Sequence, residues 1–91
     1  MATLHVLQGP DKGRTLTTQD DVVLIGRGSA QVPLTDQTVS RRHAELRTEN
    51  GAWLLSDLNS ANGTYLNGTR LERTPRLKHG DQIRTGSTLL V

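Results

Sequence analysis

Residues 43–58 read HAELRTENGAWLLSDL, and this stretch decides the fold. Ala44, Leu46 and Thr48 alternate with Glu45, Arg47 and Glu49, a period of two that sends each set to one face of a β-strand. Asn50-Gly51 follows, a dipeptide suited to the type I′ turn because both central positions need positive φ. Ala52 to Leu58 then returns as the second arm of a hairpin. Its Trp53-Leu54-Leu55 run is apolar on both faces, which predicts a central strand with Trp53 partly buried.

The same alternation recurs on both sides of the hairpin. Before it, strands are expected over Thr3 to Gln8, Arg14 to Thr17, Val22 to Ile25 and Val32 to Leu34; after it, over Tyr65-Leu66, Thr69 to Leu71, Gln82 to Thr85 and Ser87 to Val91. Turn residues punctuate them: Gly9-Pro10-Asp11-Lys12-Gly13, a second hairpin signal at Asn67-Gly68, Lys78-His79-Gly80-Asp81, and Gly86. Thr74-Pro75-Arg76 interrupts the ladder and belongs at an edge, since proline donates no hydrogen bond. No helical stripe lasts more than a turn, so the chain reads as an all-β sandwich. There is no internal repeat and no low-complexity linker. Residues 1–91 read as one domain whose final Leu89-Leu90-Val91 run is consistent with excision from a longer protein.

A domain of this size removes only about 60–65% of its unfolded surface from water, so its stability margin is modest. The core must be aliphatic, because the chain has 14 Leu, 6 Val and 2 Ile against one Trp, one Tyr and no Phe. So few rings argue against a single-stranded nucleic-acid binder, which stacks bases on aromatics. A net charge of +2 gives no global field toward nucleic acid or membrane, so any anion recognition must be local. The absence of cysteine excludes disulfides and thiol chemistry and is compatible with a reducing cytosol. No apolar run approaches the roughly 18 residues of a membrane span, and no signal peptide is recognisable, so the chain reads as soluble and cytoplasmic.

Three polar clusters fall between the strands: Gly26-Arg27, Ser40-Arg41-Arg42-His43 and Ser60-Ala61-Asn62-Gly63-Thr64. Loops on a rigid scaffold present side chains without burying them, and two arginines, two serine hydroxyls and an asparagine amide suit a phosphate and the peptide that carries it. Arg27 alone would read as a solvated loop residue, but Gly26 and Gly28 let the backbone turn sharply around it. Arg41 is the stronger candidate of its pair, since Arg42 leads directly into a strand. Ser40, His43 and Asp57 invite comparison with a hydrolase triad. No G-x-S-x-G elbow and no strand–helix turn accompany them, so no enzymatic activity is expected. His5, His43 and His79 lack ligand-like spacing, and neither metal nor cofactor is expected.

In order and spacing, Gly26-Arg27, Ser40-x-x-His43, Asp57-Leu58-x-Ser60-x-Asn62-Gly63-Thr64-x-x-Asn67-Gly68 and Leu77-x-x-Gly80-Asp81-x-Ile83 resemble the forkhead-associated (FHA) domain. The resemblance implies a two-sheet sandwich of about eleven short strands, related to the SMAD type, that binds phosphothreonine peptides through loops at one end and acts as a signalling adaptor. It implies that Arg27 and Ser40 contact the phosphate, with Arg41 beside them, Ser60 in the same cluster and Asn62 holding the peptide main chain. Gly26, His43, Gly63 and Asn67 support the loops, and Thr38, Val39 and Ala61 tune ligand choice. The expected partner is a phosphothreonine-containing protein, not nucleic acid or membrane, with the isolated domain monomeric. Position 61 departs from the family, which often has a hydroxyl or longer polar residue there; Ser60 or Arg41 stands nearest to replace its contact. A phosphate-independent interaction domain on the same scaffold is the competing reading.

Overall fold

A computed structural model describes residues 1–91. Ten strands and no helix make up the chain: β1 (Ala2–Gln8), β2 (Thr15–Thr18), β3 (Val22–Gly26), β4 (Val32–Pro33), β5 (Ala44–Glu49), β6 (Ala52–Asp57), β7 (Thr64–Leu66), β8 (Thr69–Arg70), β9 (Ile83–Thr85) and β10 (Thr88–Leu90). They form a six-stranded sheet in the order β2-β1-β10-β9-β7-β8 and a four-stranded sheet in the order β4-β3-β5-β6. All pairings are antiparallel except β3 with β4.

The alternation seen in sequence is what closes the sandwich. Leu4 and Val6, Val23 and Ile25, Ala44 and Leu46, Leu55, Ile83 and Leu90 point inward and are buried, joined by Val32, Leu34 and Val39 from the β4 region. Both two-residue turns take the expected form, with φ of 51° and 79° at Asn50-Gly51 and 49° and 87° at Asn67-Gly68.

The ten strands match the expected two-sheet sandwich of about eleven, and the residues around Arg76 add only an isolated bridge to Leu54. One expectation needs correction: β6 is not central. It ends its sheet, and the chain from Pro75 to Leu77 runs along its free edge, with Leu55 N–H donating to Pro75 O at 3.0 Å and Leu77 N–H to Trp53 O at 2.8 Å. That segment pairs the edge in place of a strand, while Trp53 and Leu55 face the core and Leu54, opposite Arg47 on the other face, is half-buried. Trp53 is partly buried against the core, as expected.

Strand direction sorts the loops. Those after β3, β4 and β6, together with the β9–β10 turn, gather at one end; an open apolar cleft of about 630 Å³, lined by Leu4, Leu46, Trp53, Leu77 and Ile83 among others, lies at the other.

Candidate functional site

The three polar clusters converge at the first of these ends. Gly26 closes β3 and is buried because the 40–41 backbone crosses directly over it: a Cβ there would collide with the carbonyl oxygens of Ser40 and Arg41. The close approach lets Arg27 N–H donate to Ser40 O at 3.2 Å and Gly28 N–H to Arg41 O at 3.0 Å. Arg27 is itself pinned, its Nε donating to Val39 O at 2.5 Å. Both Nη groups remain without a protein partner, and the residue is exposed.

Ser40 joins the second loop to the third. Its Oγ accepts the Ala61 N–H at 3.0 Å, and the amide Nδ2 of Asn62 donates to Thr38 O at 2.7 Å. His43, fully buried, lies beneath both loops. Its Nδ1 accepts the Ser40 N–H at 3.0 Å, which puts the ring proton on Nε2, where it is donated to Gly63 O at 2.8 Å. His43 therefore braces the loops, and the triad geometry is missing, since neither ring nitrogen contacts a hydroxyl or a carboxylate.

Two aspartates fix the loops from behind. Asp57 receives the hydroxyls of Ser60 at 2.6 Å and Thr64 at 2.7 Å and the Ser60 N–H at 3.2 Å. Burial works against its ionisation, but these donors hold its carboxyl below the ordinary value of 3.8. The Ser60 hydroxyl also accepts the Gly63 N–H at 2.9 Å, so its proton and a lone pair are both engaged within the loop. Asp36, 4% exposed, takes the N–H and hydroxyl of Thr38 at 2.9 and 2.6 Å, the Ser87 N–H at 3.0 Å and the Thr88 hydroxyl at 2.8 Å. It is held low in the same way, burial being outweighed by four donors.

Arg41 and Arg42 are both exposed, and neither forms an ion pair; the chain's two ion pairs are Arg14–Asp11 and Arg47–Glu45. The exposed charge of this end is therefore positive, while its acids, buried Asp36 and half-buried Asp57, are engaged by loop donors. Asn67 stands apart, at the far end of β7, where its amide ties Asp81 at 3.1 Å and Gln82 N–H at 2.9 Å.

Residues 23–86 match the family model of the FHA domain. The chain belongs to the FHA family. Among its relatives, FhaB of Mycobacterium tuberculosis, an FHA domain-containing protein, is 36% identical over 88 residues, 96% of this chain and 57% of FhaB. Thus the chain spans little more than half the length of that relative. The FHA domain of FhaA, solved in complex with the intracellular domain of Rv3910, superposes with a TM-score of 0.84 at 39% identity, covering 98% of this chain and 96% of that one. A structure from work on phosphothreonine-dependent FHA domain interactions gives 0.82 at 36% identity, covering 99% and 94%. FHA domains are interaction modules, and this one has their β-sandwich.

Within this FHA domain the structure gathers Arg27, Ser40, Arg41, Ser60 and Asn62 at one end, supported by Gly26, His43 and Gly63, and leaves Asn67 outside. Sequence reading missed Asp36 and the distant Ser87 and Thr88 that it holds. One local signal was present: Asp36-Gln37-Thr38 has the spacing of a turn in which the carboxylate accepts the N–H two residues on.

Proposed function

We propose that this FHA domain binds a phosphothreonine-bearing segment of a partner protein at the Arg27–Ser40–Asn62 end and serves as a signalling adaptor. The reading rests chiefly on one observation. Arg27 is anchored through Nε, so that its two Nη groups form a fixed fork without a protein acceptor. Such a fork fits the oxygens of a phosphate, which carries about −1.5 to −2 charge, better than a single planar carboxylate. Ser40 accepts from Ala61 and so keeps its hydroxyl proton to donate to the phosphate. Arg41 adds charge beside them. Asn62, with Nδ2 on Thr38 O, keeps Oδ1 and a second N–H for the peptide main chain. Ser60, its hydroxyl engaged on both sides, shapes the loop from behind, as His43 and Gly63 do.

The loops are already tied to one another, so little ordering entropy opposes binding, and an affinity of order micromolar suits so small a contact. An oriented peptide library presented with phosphothreonine, phosphoserine or free threonine tests the reading and returns the preferred flanking residues. Enrichment confined to the phosphothreonine set is expected. Capture of partners that survives phosphatase treatment would replace this reading with a phosphate-independent one.

A further inference from the structure

Alternation fixes what lies on the outer face of the six-stranded sheet. Thr64 and Leu66, Ile83 and Thr85, and Thr88 and Leu90 turn inward, so Tyr65, Arg84 and Leu89 turn outward. The ladder sets them side by side: Arg70 opposite Tyr65, Tyr65 opposite Arg84, Arg84 opposite Leu89. Directly opposed side chains on one face lie about 5 Å apart, so these four form a continuous row across four strands, roughly 15 Å long. Beyond Leu89 the ladder continues to Gln8, and the bulge at Leu7 leaves that side chain 38% exposed.

The row has the composition of a contact surface, not of a solvated face. The chain's single tyrosine stands between two arginines, with leucine at the end. Neither arginine belongs to an ion pair, and the row contains no carboxylate. Arg84 reaches only Gln8 Oε1, at 3.4 Å, a neutral acceptor. The row also meets the loop end, since the guanidinium of Arg70 lies over Gly63, where a Cβ would come 2.8 Å from Nε. Anything seated beside Asn62 is thereby led onto the sheet face.

We infer that the outer face of the six-stranded sheet, along Arg70, Tyr65, Arg84 and Leu89, is a second contact surface that takes a carboxylate-bearing stretch of the phosphorylated partner. The inference rests on the phosphothreonine reading above and adds to it where the partner goes after leaving the loops. Charge complementarity and continuity with the loop end select this occupant.

The test uses three probes: the phosphothreonine peptide selected from the library, and the same peptide extended at its N- or C-terminal end by a Gly-Ser linker and four glutamates. A linker of about eight residues spans roughly 15 Å as a coil. One of the two tails is expected to tighten binding about three- to tenfold, the range open to a few exposed ion pairs on a tethered ligand. Arg84→Gln should cancel that gain and leave the untailed peptide unaffected, and the backbone amides of Tyr65 and Arg84 should shift only with the tailed probe. No gain from either tail, or a gain that survives Arg84→Gln, would overturn the inference. So would equal binding of tetraglutamate alone, of phosphatidylglycerol vesicles or of polyuridylate, each of which would make the face a general anion surface. If the untailed peptide itself fails to bind, the phosphothreonine reading falls and takes this one with it; the other failures remove the second surface alone.

Discussion

His43 donates from Nε2 to the carbonyl oxygen of Gly63 at 2.8 Å, and through Nδ1 it holds the Ser40 N–H at 3.0 Å, so one buried ring joins loop residues that are 23 positions apart in the chain. Removing it leaves a half-buried N–H and a buried carbonyl without partners. His43→Ala is therefore expected to lower stability by about 2–4 kcal/mol, which for a domain of this size lowers Tm by some 10 °C or more. A thermal melt followed by circular dichroism checks this, and an unchanged Tm would show that the brace is dispensable.

On the proposed phosphothreonine reading, Arg27 contributes in the opposite way, to the ligand rather than to the fold. Arg27→Ala is expected to weaken phosphothreonine-peptide binding by about 1.5–3 kcal/mol, tenfold or more, with Tm nearly unchanged. Arg27→Lys should lose most of this too, because one ammonium cannot both rest on Val39 O and present a fork. Isothermal titration of the three proteins with one peptide separates the outcomes; full binding by the lysine variant would reduce the contact to plain charge.

Ala61 is exposed beside Ser40, to which its N–H donates. Ala61→Thr puts a hydroxyl at the rim of the proposed phosphate site without disturbing that bond. We expect binding to tighten by about 0.5–1.5 kcal/mol, the usual net contribution of one hydrogen bond. Equal affinity for the two proteins would mean that position 61 does not face the phosphate.

Gly26 carries a backbone crossing instead of a side-chain contact. Gly26→Ala places a methyl group against two carbonyl oxygens of the neighbouring loop, and a loss of about 1–3 kcal/mol is expected, together with weaker peptide binding as the Ser40 loop is pushed outward. Urea unfolding measures the first effect and titration the second. A variant as stable as the parent would mean that the two loops separate freely.

Acid should act through four aspartates. Asp11, Asp36 and Asp57 are held below the ordinary value of 3.8 by hydrogen bonds that outweigh burial, and Asp81 by the Lys78 N–H and the Asn67 amide. A carboxylate with a lower pKa folded than unfolded stabilises the fold above its unfolded pKa, and this contribution is lost as pH falls through the folded one. The urea midpoint should therefore change little through these groups at neutral pH and fall as pH drops below about 4. In Asp36→Asn the midpoint should be lower at pH 7 and less sensitive to acid. A midpoint independent of pH down to 3 would contradict the assignment.

How far the sequence revealed this molecule depended on the range of each interaction. Period-two patterning and the two Asn-Gly turns are local, so the strands and both hairpins were legible to within a residue or two. The place of β6 was not, because an apolar run does not reveal whether a strand's edge is paired by another strand or by an irregular segment, and here Pro75 to Leu77 takes that edge. The loop residues Arg27, Ser40, His43 and Asn62 were legible as a set through their spacing. Ser60 and Asp57 were legible as members of the motif, but the engagement of the Ser60 hydroxyl on both sides depended on geometry. Asp36 with Thr88 was out of reach, since nothing local links residues 52 positions apart.

That last pair also bears on the order in which the protein is made. The loops carrying Arg27 and Ser40 precede β5, yet their aspartate anchor finds two of its donors at Ser87 and Thr88, 51 and 52 positions further along, where β10 begins. A nascent chain therefore displays these loops long before they are fixed. On the proposed phosphothreonine reading, binding competence should arrive abruptly once β10 is in place, so that incompletely synthesised domains do not compete with complete ones.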